Sequence, residues 1–278
     1  MLSLEHVYTA CSFFFCFYRE AGIMKGNIND SCMKQGCLTY TDEKGGLIML
    51  ELKLKSGEVK QCEAGAYVHE LLEAWNVKEA VYAVTLDGKL HDLNYRIKKS
   101  GALDYIYADS ETGKLIYERS LNFLFIVAVR SLFPDARVRM EHALSGGQYC
   151  EIDKEGYCKP QDVRKIEKRM KELIAANEVI HRRVVATAEA QAYFDRLGMK
   201  NKANLLACRK SATSSIYTLC GYDDYFYGIM LPDTSYLTHF SIRFYAPGVW
   251  LSAGNGFQNQ AKLFHVFQEF ETWGRLIG

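Results

Sequence analysis

The chain has 278 residues, more than one small domain usually contains, so its length predicts one large domain or, as its pattern favours, two modest ones. Its composition, 49% hydrophobic and 24% charged, is typical of a folded globular protein and argues against a disordered chain. The formal net charge of +1 excludes a strong overall field, so a nucleic acid or another anionic partner would have to bind a local basic patch.

Nine cysteines are present, an odd number, and none forms a CxxC pair. This pattern favours reduced thiols over a disulfide framework or a zinc ribbon. We therefore expect a cytoplasmic protein.

Residues 1–48 differ from the rest of the chain. Val7–Tyr18 resembles the apolar part of a signal peptide, but Glu5 rather than a basic residue precedes it, and no convincing cleavage site follows. The polar stretch after it has no periodicity and predicts a linker. We expect residues 1–48 to be a poorly ordered upstream extension and Met49 to be the natural start.

Residues 49–112 alternate short strand patterns with one helical pattern, which predicts a small α+β unit. Asp87-Gly88 is a turn of the tight hairpin type between two of the strands. In chain order, the predicted elements are a hairpin of Leu50–Leu54 and Val59–Cys62, a helix over Gly65–Trp75, and strands at Ala80–Leu86, Lys89–Leu93 and Leu103–Ala108.

The most apolar run with a clear end is Arg119–Pro134. Its apolar residues recur at spacings of three and four, which predicts a buried helix that ends before the proline. The run is shorter than the roughly 20 apolar residues of a membrane span, so we expect no membrane association. Arg119 and Phe123 lie one turn apart at its start.

A second helix is predicted over Pro160–Glu178, with the proline in its first turn. Its outer faces carry basic residues, which could contact RNA phosphates. Interleaved Glu167 and Glu172 favour the alternative, a solvated face of salt-linked side chains. The candidate phosphate patch consists of Arg164, Lys165, Lys168 and Arg169.

Shorter patterns complete the region. Ser145–Gln148 precedes a strand pattern at Tyr149–Ile152, so it predicts a hairpin turn and not a phosphate-binding loop. Glu189–Leu197 predicts a helix that Gly198 ends. The histidines are widely separated and favour surface or hydrogen-bonded roles over metal binding: His142, His181, His239 and His265.

The early region resembles a TGS domain, the β-grasp module found at the start of threonyl-tRNA synthetases. The similar segments are SGEVKQCEAG and AVYAVTLDGKLHDLNYRIKKSGALDYIYADSETG. Such modules are interaction or RNA-contacting appendages. The resemblance therefore implies a β-grasp fold for residues 49–112 and no chemistry of its own.

The next region resembles the second additional domain of those synthetases, which carries aminoacyl-tRNA editing. RSLNFLFIVAVRSLFPDA, GGQYCEI, KPQDVRKIEKRMKELI and DYFYGIMLPDTSYLTHFSI follow that domain's order. We expect a degenerate editing-like domain at residues 113–252, which gives an α+β fold with a TGS module followed by an editing-type domain.

A closer resemblance is to the N-terminal region of uridine kinase-like nucleoside kinases, in which these two domains precede a P-loop kinase. AKLFHVFQEFETWGRLIG is similar to the stretch before that kinase, so residues 253–278 are expected to be a helical linker. No GxxxxGK[ST] motif occurs in this sequence, so it has no loop to cradle a triphosphate. The expected partner is a fused or separate kinase domain, and ATP and Mg²⁺ are expected only with that domain.

The resemblance assigns four positions to the editing site, where an HxxxH and a CxxxH would provide metal-ligating or basic groups. Here these positions hold Arg119, Phe123, Phe226 and Met230. Arginine stays cationic, phenylalanine has no lone pair, and methionine offers only a weak thioether. We therefore predict no catalytic residue and no metal site.

Two interpretations of these positions stay open. Together with Tyr149 and Tyr225, they could line a pocket that stacks on a nucleobase or sugar. Alternatively, Phe123, Phe226 and Met230 fill the former site with apolar side chains, as their residue types favour.

The predicted function is a non-catalytic regulatory or ligand- and RNA-sensing region of a uridine kinase-like protein. Its expected ligands are a nucleoside, a nucleotide or tRNA, and it could form a homo-oligomer. The alternatives are an aminoacyl-tRNA editing hydrolase with an unrecognised site and a purely structural dimerisation module.

Overall fold

The computed structural model describes residues 47–144 and 146–254, and for Leu144 it describes only the backbone. The predictions for the extension up to residue 46, for the linker beyond residue 254 and for His265 lie outside the described residues. The chain forms two compact units, one up to Glu79 together with Val84–Tyr105, the other Ala80–Ala83 together with the chain from Ile106 onwards.

The first part of the described chain contains five strands and one helix. The elements are β1 (Met49–Leu54), β2 (Val59–Glu63), α1 (Val68–Ala74), β3 (Val81–Leu86), β4 (Lys89–His91) and β5 (Gly101–Tyr107). The strands form one sheet in the order β2-β1-β5-β3-β4. Strand β1 pairs antiparallel with β2 and parallel with β5, and alternate residues of β1 are buried. The mixed α+β architecture predicted from the sequence is confirmed.

The sequence predicted one turn of this region correctly and placed the start of its helix too early. The Asp87-Gly88 hairpin turn is confirmed, with φ of 50° and 75° at the two residues. The predicted helix over Gly65–Trp75 is too long, because Gly65 has a φ of 91° and Tyr67 is extended. The helix therefore begins only at Val68.

The buried helix predicted from Arg119 is longer than expected. It is α2 (Glu111–Leu132), and it begins about two turns earlier because the Ser110 side chain caps it, accepting a hydrogen bond from the Gly113 backbone N–H at 3.0 Å. Arg119 and Phe123 thus lie in the middle of the helix rather than at its start. No helix in the described part of the chain is long and apolar enough to cross a membrane.

Further helices and strands follow α2 in the chain. The elements are β6 (Arg137–Leu144), β7 (Gly147–Asp153), α3 (Pro160–Ala175), β8 (His181–Ala186), α4 (Thr187–Arg196), α5 (Lys200–Ala207), β9 (Thr213–Leu219), β10 (Tyr222–Tyr225), β11 (Ser241–Tyr245) and β12 (Gly248–Ser252). The strands form two further sheets, in the orders β10-β9-β8 and β11-β12-β7-β6. Among these strands the sequence patterns predicted β7, at Tyr149–Ile152.

The predicted turns of this region are confirmed. Gly146 has a φ of 76° between β6 and β7, which pair antiparallel, and Gly198 has a φ of 73° directly after α4. Gly147 has no room for a side chain, because a Cβ there would lie 2.4 Å from the Trp250 indole. Helix α3 ends before the predicted Glu178, since Asn177 has a φ of 52°.

Candidate functional site

The four editing-type positions come together between α2 and the segment that follows β10. Phe123 of α2 lies against Phe226, with ring centroids 5.4 Å apart and ring planes at 59°. Arg119, one turn earlier on α2, reaches the backbone of Ile229. Met230, the next residue, is 1% exposed.

The apolar members of this group pack as core. Phe123 is 1% exposed, like Met230, and Phe226 is partly buried. Buried rings and a buried thioether gain stability from leaving water and provide no group that moves a proton. The packing favours the filled-site interpretation over a ligand pocket at these three residues.

Arg119 is held by a backbone carbonyl, and no described acidic residue pairs with it. Its Nη1 donates to the Ile229 carbonyl, and its guanidinium lies over Gly228. Gly228 has a φ of 98°, and a Cβ there would lie 2.8 Å from the Arg119 Cζ, so both the turn and the arginine require glycine at this position. Burial lowers the pKa of Arg119, but the side chain keeps its positive charge near neutrality.

Sequence reasoning did not identify Ser120, which lies at the centre of the site. Its Oγ donates to the Ile116 carbonyl at 2.7 Å and accepts from the Leu231 backbone N–H at 2.9 Å. Tyr217 of β9 also donates to the Gly228 carbonyl at 2.6 Å. Side chains of Arg119, Ser120 and Tyr217 therefore bond three backbone groups between Gly228 and Leu231, which fixes this segment to α2 and β9.

A buried acidic group two residues before Phe226 was also missed. Asp224 is 1% exposed, and its Oδ1 accepts from the Lys202 ammonium and from the Tyr225 backbone N–H at 2.6 Å. Its Oδ2 is buried without a hydrogen-bond partner in the described structure. The adjacent pair Asp223-Asp224 among tyrosines was the available sequence signal, but a strand pattern does not reveal burial.

Asp223, on the opposite face of β10, is fully engaged. Its carboxylate accepts hydrogen bonds from the Thr218 hydroxyl, the Tyr193 hydroxyl at 2.5 Å and the Arg183 guanidinium. Burial alone would raise the pKa of Asp223, but these donors outweigh it and lower the pKa. Asp223 is therefore a structural carboxylate that ties β10 to β8, β9 and α4.

The two tyrosines predicted to line one pocket lie in different sheets. Tyr225 of β10 accepts a hydrogen bond from Arg209 Nη1 at 2.5 Å. Tyr149 of β7 packs instead against Tyr245, with ring centroids 5.4 Å apart, and donates to Glu151 Oε1 at 3.4 Å. Burial raises the pKa of Tyr149, so it stays a neutral packing group.

Two of the four basic residues in the predicted phosphate patch on α3 pair with a glutamate of the same helix. Lys168 and Arg169 lie 4.0 Å and 3.1 Å from Glu172 carboxylate oxygens. Arg169 Nε also donates to the Ser131 hydroxyl at 3.3 Å. Arg164 and Lys165 are exposed, so they are the members of the patch that are open to an anionic partner.

The described residues offer few groups for metal binding or thiol chemistry. These residues contain no group of three or more His, Cys, Asp or Glu side chains that could hold a metal ion. Burial raises the pKa of the Cys150 thiol to about 12, so this cysteine is inert near neutrality. His142, His181 and His239 are exposed, as the surface interpretation predicted.

Comparison with known proteins relates the chain to threonine–tRNA ligases. The ligase of Pelobacter propionicus is 30% identical over 203 residues, which are 72% of this chain and 32% of that ligase. The ligase of Burkholderia lata is 31% identical over 205 residues, 73% of this chain and 32% of the ligase. The ligase of Geobacter sp. is 29% identical over 220 residues, 78% of this chain and 34% of the ligase.

The chain thus spans about a third of the length of these relatives. No protein-family model matches it. The resemblance to threonyl-tRNA synthetases stated from the sequence is confirmed as a similarity. The TGS module and the relation to nucleoside kinases stay predictions.

Proposed function

We propose that this chain is a non-catalytic tRNA- or nucleotide-sensing region built on a threonyl-tRNA synthetase editing-type scaffold. One observation carries the proposal: the positions that the resemblance assigns to metal ligands and bases hold Arg119, Phe123, Phe226 and Met230, of which Phe123 packs against Phe226 and Met230 is buried. The similarity to threonine–tRNA ligases supports an RNA-related role. A packed apolar site has no group within reach of a substrate proton.

Two finer assignments belong to the same proposal. The five-stranded sheet of the first part would be a TGS module, and the whole region would regulate a fused or separate uridine kinase-like domain that binds ATP and Mg²⁺. Arg164 and Lys165 would contact phosphates of the RNA, since both are exposed on α3.

The first prediction is binding without hydrolysis. Threonine tRNA charged with a wrong amino acid should bind the chain, as measured by fluorescence anisotropy, and should lose its amino acid no faster than in buffer. A Lys165→Ala variant should bind more weakly because one phosphate contact is lost, and Lys98→Ala provides a matched exposed control. Deacylation above the buffer rate would contradict the proposal.

An editing hydrolase with an unrecognised site is the second candidate, and Asp224 is the observation that favours it. A carboxylate oxygen that is buried without a partner beside Lys202 is a group that a substrate hydroxyl could approach after a small rearrangement. If the chain deacylates mischarged tRNA and Asp224→Asn abolishes that turnover while the chain stays folded, this candidate replaces the first.

The third alternative is a structural dimerisation module. It predicts a concentration-dependent dimer by analytical ultracentrifugation and no binding of uridine, nucleotides or tRNA by calorimetry. Binding of tRNA by a monomeric chain would exclude it.

A further inference from the structure

Tyr227 is a large aromatic side chain that the fold leaves in water. It is 75% exposed, although its neighbour Phe226 packs against Phe123 and the next residues are fixed to α2 and β9 by hydrogen bonds. The backbone that carries Tyr227 is therefore held in place while the side chain projects to the surface. A fixed backbone lowers the entropy cost of using this ring to bind a partner.

Arg209 holds this ring from one side. Its Cζ lies 5.4 Å from the Tyr227 ring centroid and 5.7 Å from that of Tyr225, both within the range of cation–π attraction. The hydrogen bond from its Nη1 to the Tyr225 hydroxyl fixes the guanidinium plane. The Arg209 Nε is buried and has no hydrogen-bond partner in the described structure. The guanidinium therefore packs against the two rings at the cost of one unmade hydrogen bond.

The local charge is positive. Within the described residues, neither Arg209 nor Arg119 is paired with a carboxylate, whereas the nearby Asp224 and Asp223 are engaged by Lys202 and by Arg183. Arg119 is bound to the Ile229 carbonyl, two residues after Tyr227 in the chain. An exposed ring beside the Arg209 guanidinium, which no carboxylate of the described residues neutralises, attracts a ligand that is both aromatic and anionic.

We propose that Tyr227 is a stacking platform for an unpaired base of single-stranded RNA, and that Arg209 positions the ring and attracts the adjoining phosphate. This inference deepens the RNA-sensing role and rests on it. An open surface ring suits a strand that makes further contacts elsewhere, whereas a free mononucleotide requires a concave pocket. Stacking on a ring face does not require base identity, so binding should tolerate different base sequences.

The test measures binding of two fluorescein-labelled RNAs to the full chain by anisotropy: a single-stranded adenine 12-mer and a threonine tRNA transcript. Tyr227→Ala should weaken binding about tenfold, the scale of one base–aromatic stack. Tyr227→Phe should bind within about twofold of wild type, because the ring is what stacks. Arg209→Gln should weaken binding and reduce its salt dependence by about one phosphate contact.

The matched control is Tyr157, an equally exposed tyrosine at 78%, in the turn before α3. Tyr157→Asn should leave affinity unchanged, and asparagine tolerates the φ of 59° at this position. Circular dichroism checks that each variant is folded.

The outcomes separate the two proposals. If the wild-type chain binds neither RNA, both the RNA-sensing role and the platform are wrong. If it binds tRNA and Tyr227→Ala binds equally well, only the platform is wrong. Equal affinity for a blunt RNA duplex and for the single strand would also overturn the platform, because a duplex presents no unpaired base along its length.

Discussion

Ser120 shows how much one small side chain contributes to this site. Its hydroxyl joins the α2 backbone to the Leu231 N–H across 111 residues of sequence, and both partners are buried. Without the hydroxyl, the Leu231 N–H would be buried without an acceptor. A buried donor left unpaired costs about 1–3 kcal/mol, more than an average hydrogen bond contributes.

We therefore predict that Ser120→Ala lowers the free energy of unfolding by about 1–3 kcal/mol. Ser131→Ala is the matched control, because Ser131 also donates to a carbonyl of α2, that of Ala128 at 2.9 Å, and accepts a second bond, from Arg169 Nε at 3.3 Å, but is only partly buried, so water can replace its bonds. The Ser131→Ala variant should therefore lose less unfolding free energy than Ser120→Ala. Urea denaturation of both variants measures the difference, and equal losses would show that the Leu231 bond contributes little.

At the scale of elements, helix α2 is the part on which the second unit is assembled. Most of its residues from Ile116 to Val129 are buried. Two of its side chains, those of Tyr117 and Ser120, form hydrogen bonds with later segments of the chain. Tyr117 donates to the His239 carbonyl at 2.7 Å and accepts from the His239 N–H at 2.9 Å, and Ser120 binds Leu231. Burial raises the pKa of Tyr117 to about 12, so this bridge persists at neutral pH.

The start of α2 offers a separate prediction. Ser110 accepts from the Gly113 N–H at 3.0 Å and donates to the Tyr107 carbonyl at 2.6 Å. Ser110→Ala should lower the unfolding free energy by about 1 kcal/mol, because the helix loses its N-cap. Ser110→Asp retains an acceptor and should lose less. Thermal denaturation of the two variants compares them, and a larger loss for aspartate would show that repulsion between its carboxylate and the Tyr107 carbonyl outweighs the cap.

At the scale of the whole molecule, the scaffold geometry around the four editing-type positions can be tested directly. These positions lie close together, since Phe123 contacts Phe226 and Arg119 contacts Ile229, the residue before Met230. Side chains of cysteine and histidine at four converging positions can form a tetrahedral zinc site.

The expected result is that the combined variant Arg119→His, Phe123→His, Phe226→Cys and Met230→His binds about one zinc ion per chain, a stoichiometry set by one four-ligand shell. Its stability without metal should fall, because buried apolar side chains are lost. Metal analysis after gel filtration measures the bound zinc. A folded variant without zinc would show that the backbone has moved away from a ligand-binding arrangement.

Much of the fold follows from local sequence signals. Asp87-Gly88, Gly146 and Gly198 mark turns because their backbone conformations are intrinsic to those residues, and apolar spacing identifies α2. The helix starts were less predictable, since Ser110 and Gly65 act through geometry that periodicity does not contain. Strands such as β8, whose residues are mostly exposed, carry no alternation that a pattern could detect.

The sequence by itself determined which side chains occupy the four positions that the resemblance assigns to an editing site, and that none of them is histidine or cysteine. Only the tertiary structure decided what surrounds them. Tyr217 is 2% exposed and Tyr227 75%, although both belong to one tyrosine-rich run. The reason is physical: residue type sets what a side chain can do, whereas contacts between distant segments set whether water, backbone or a partner reaches it.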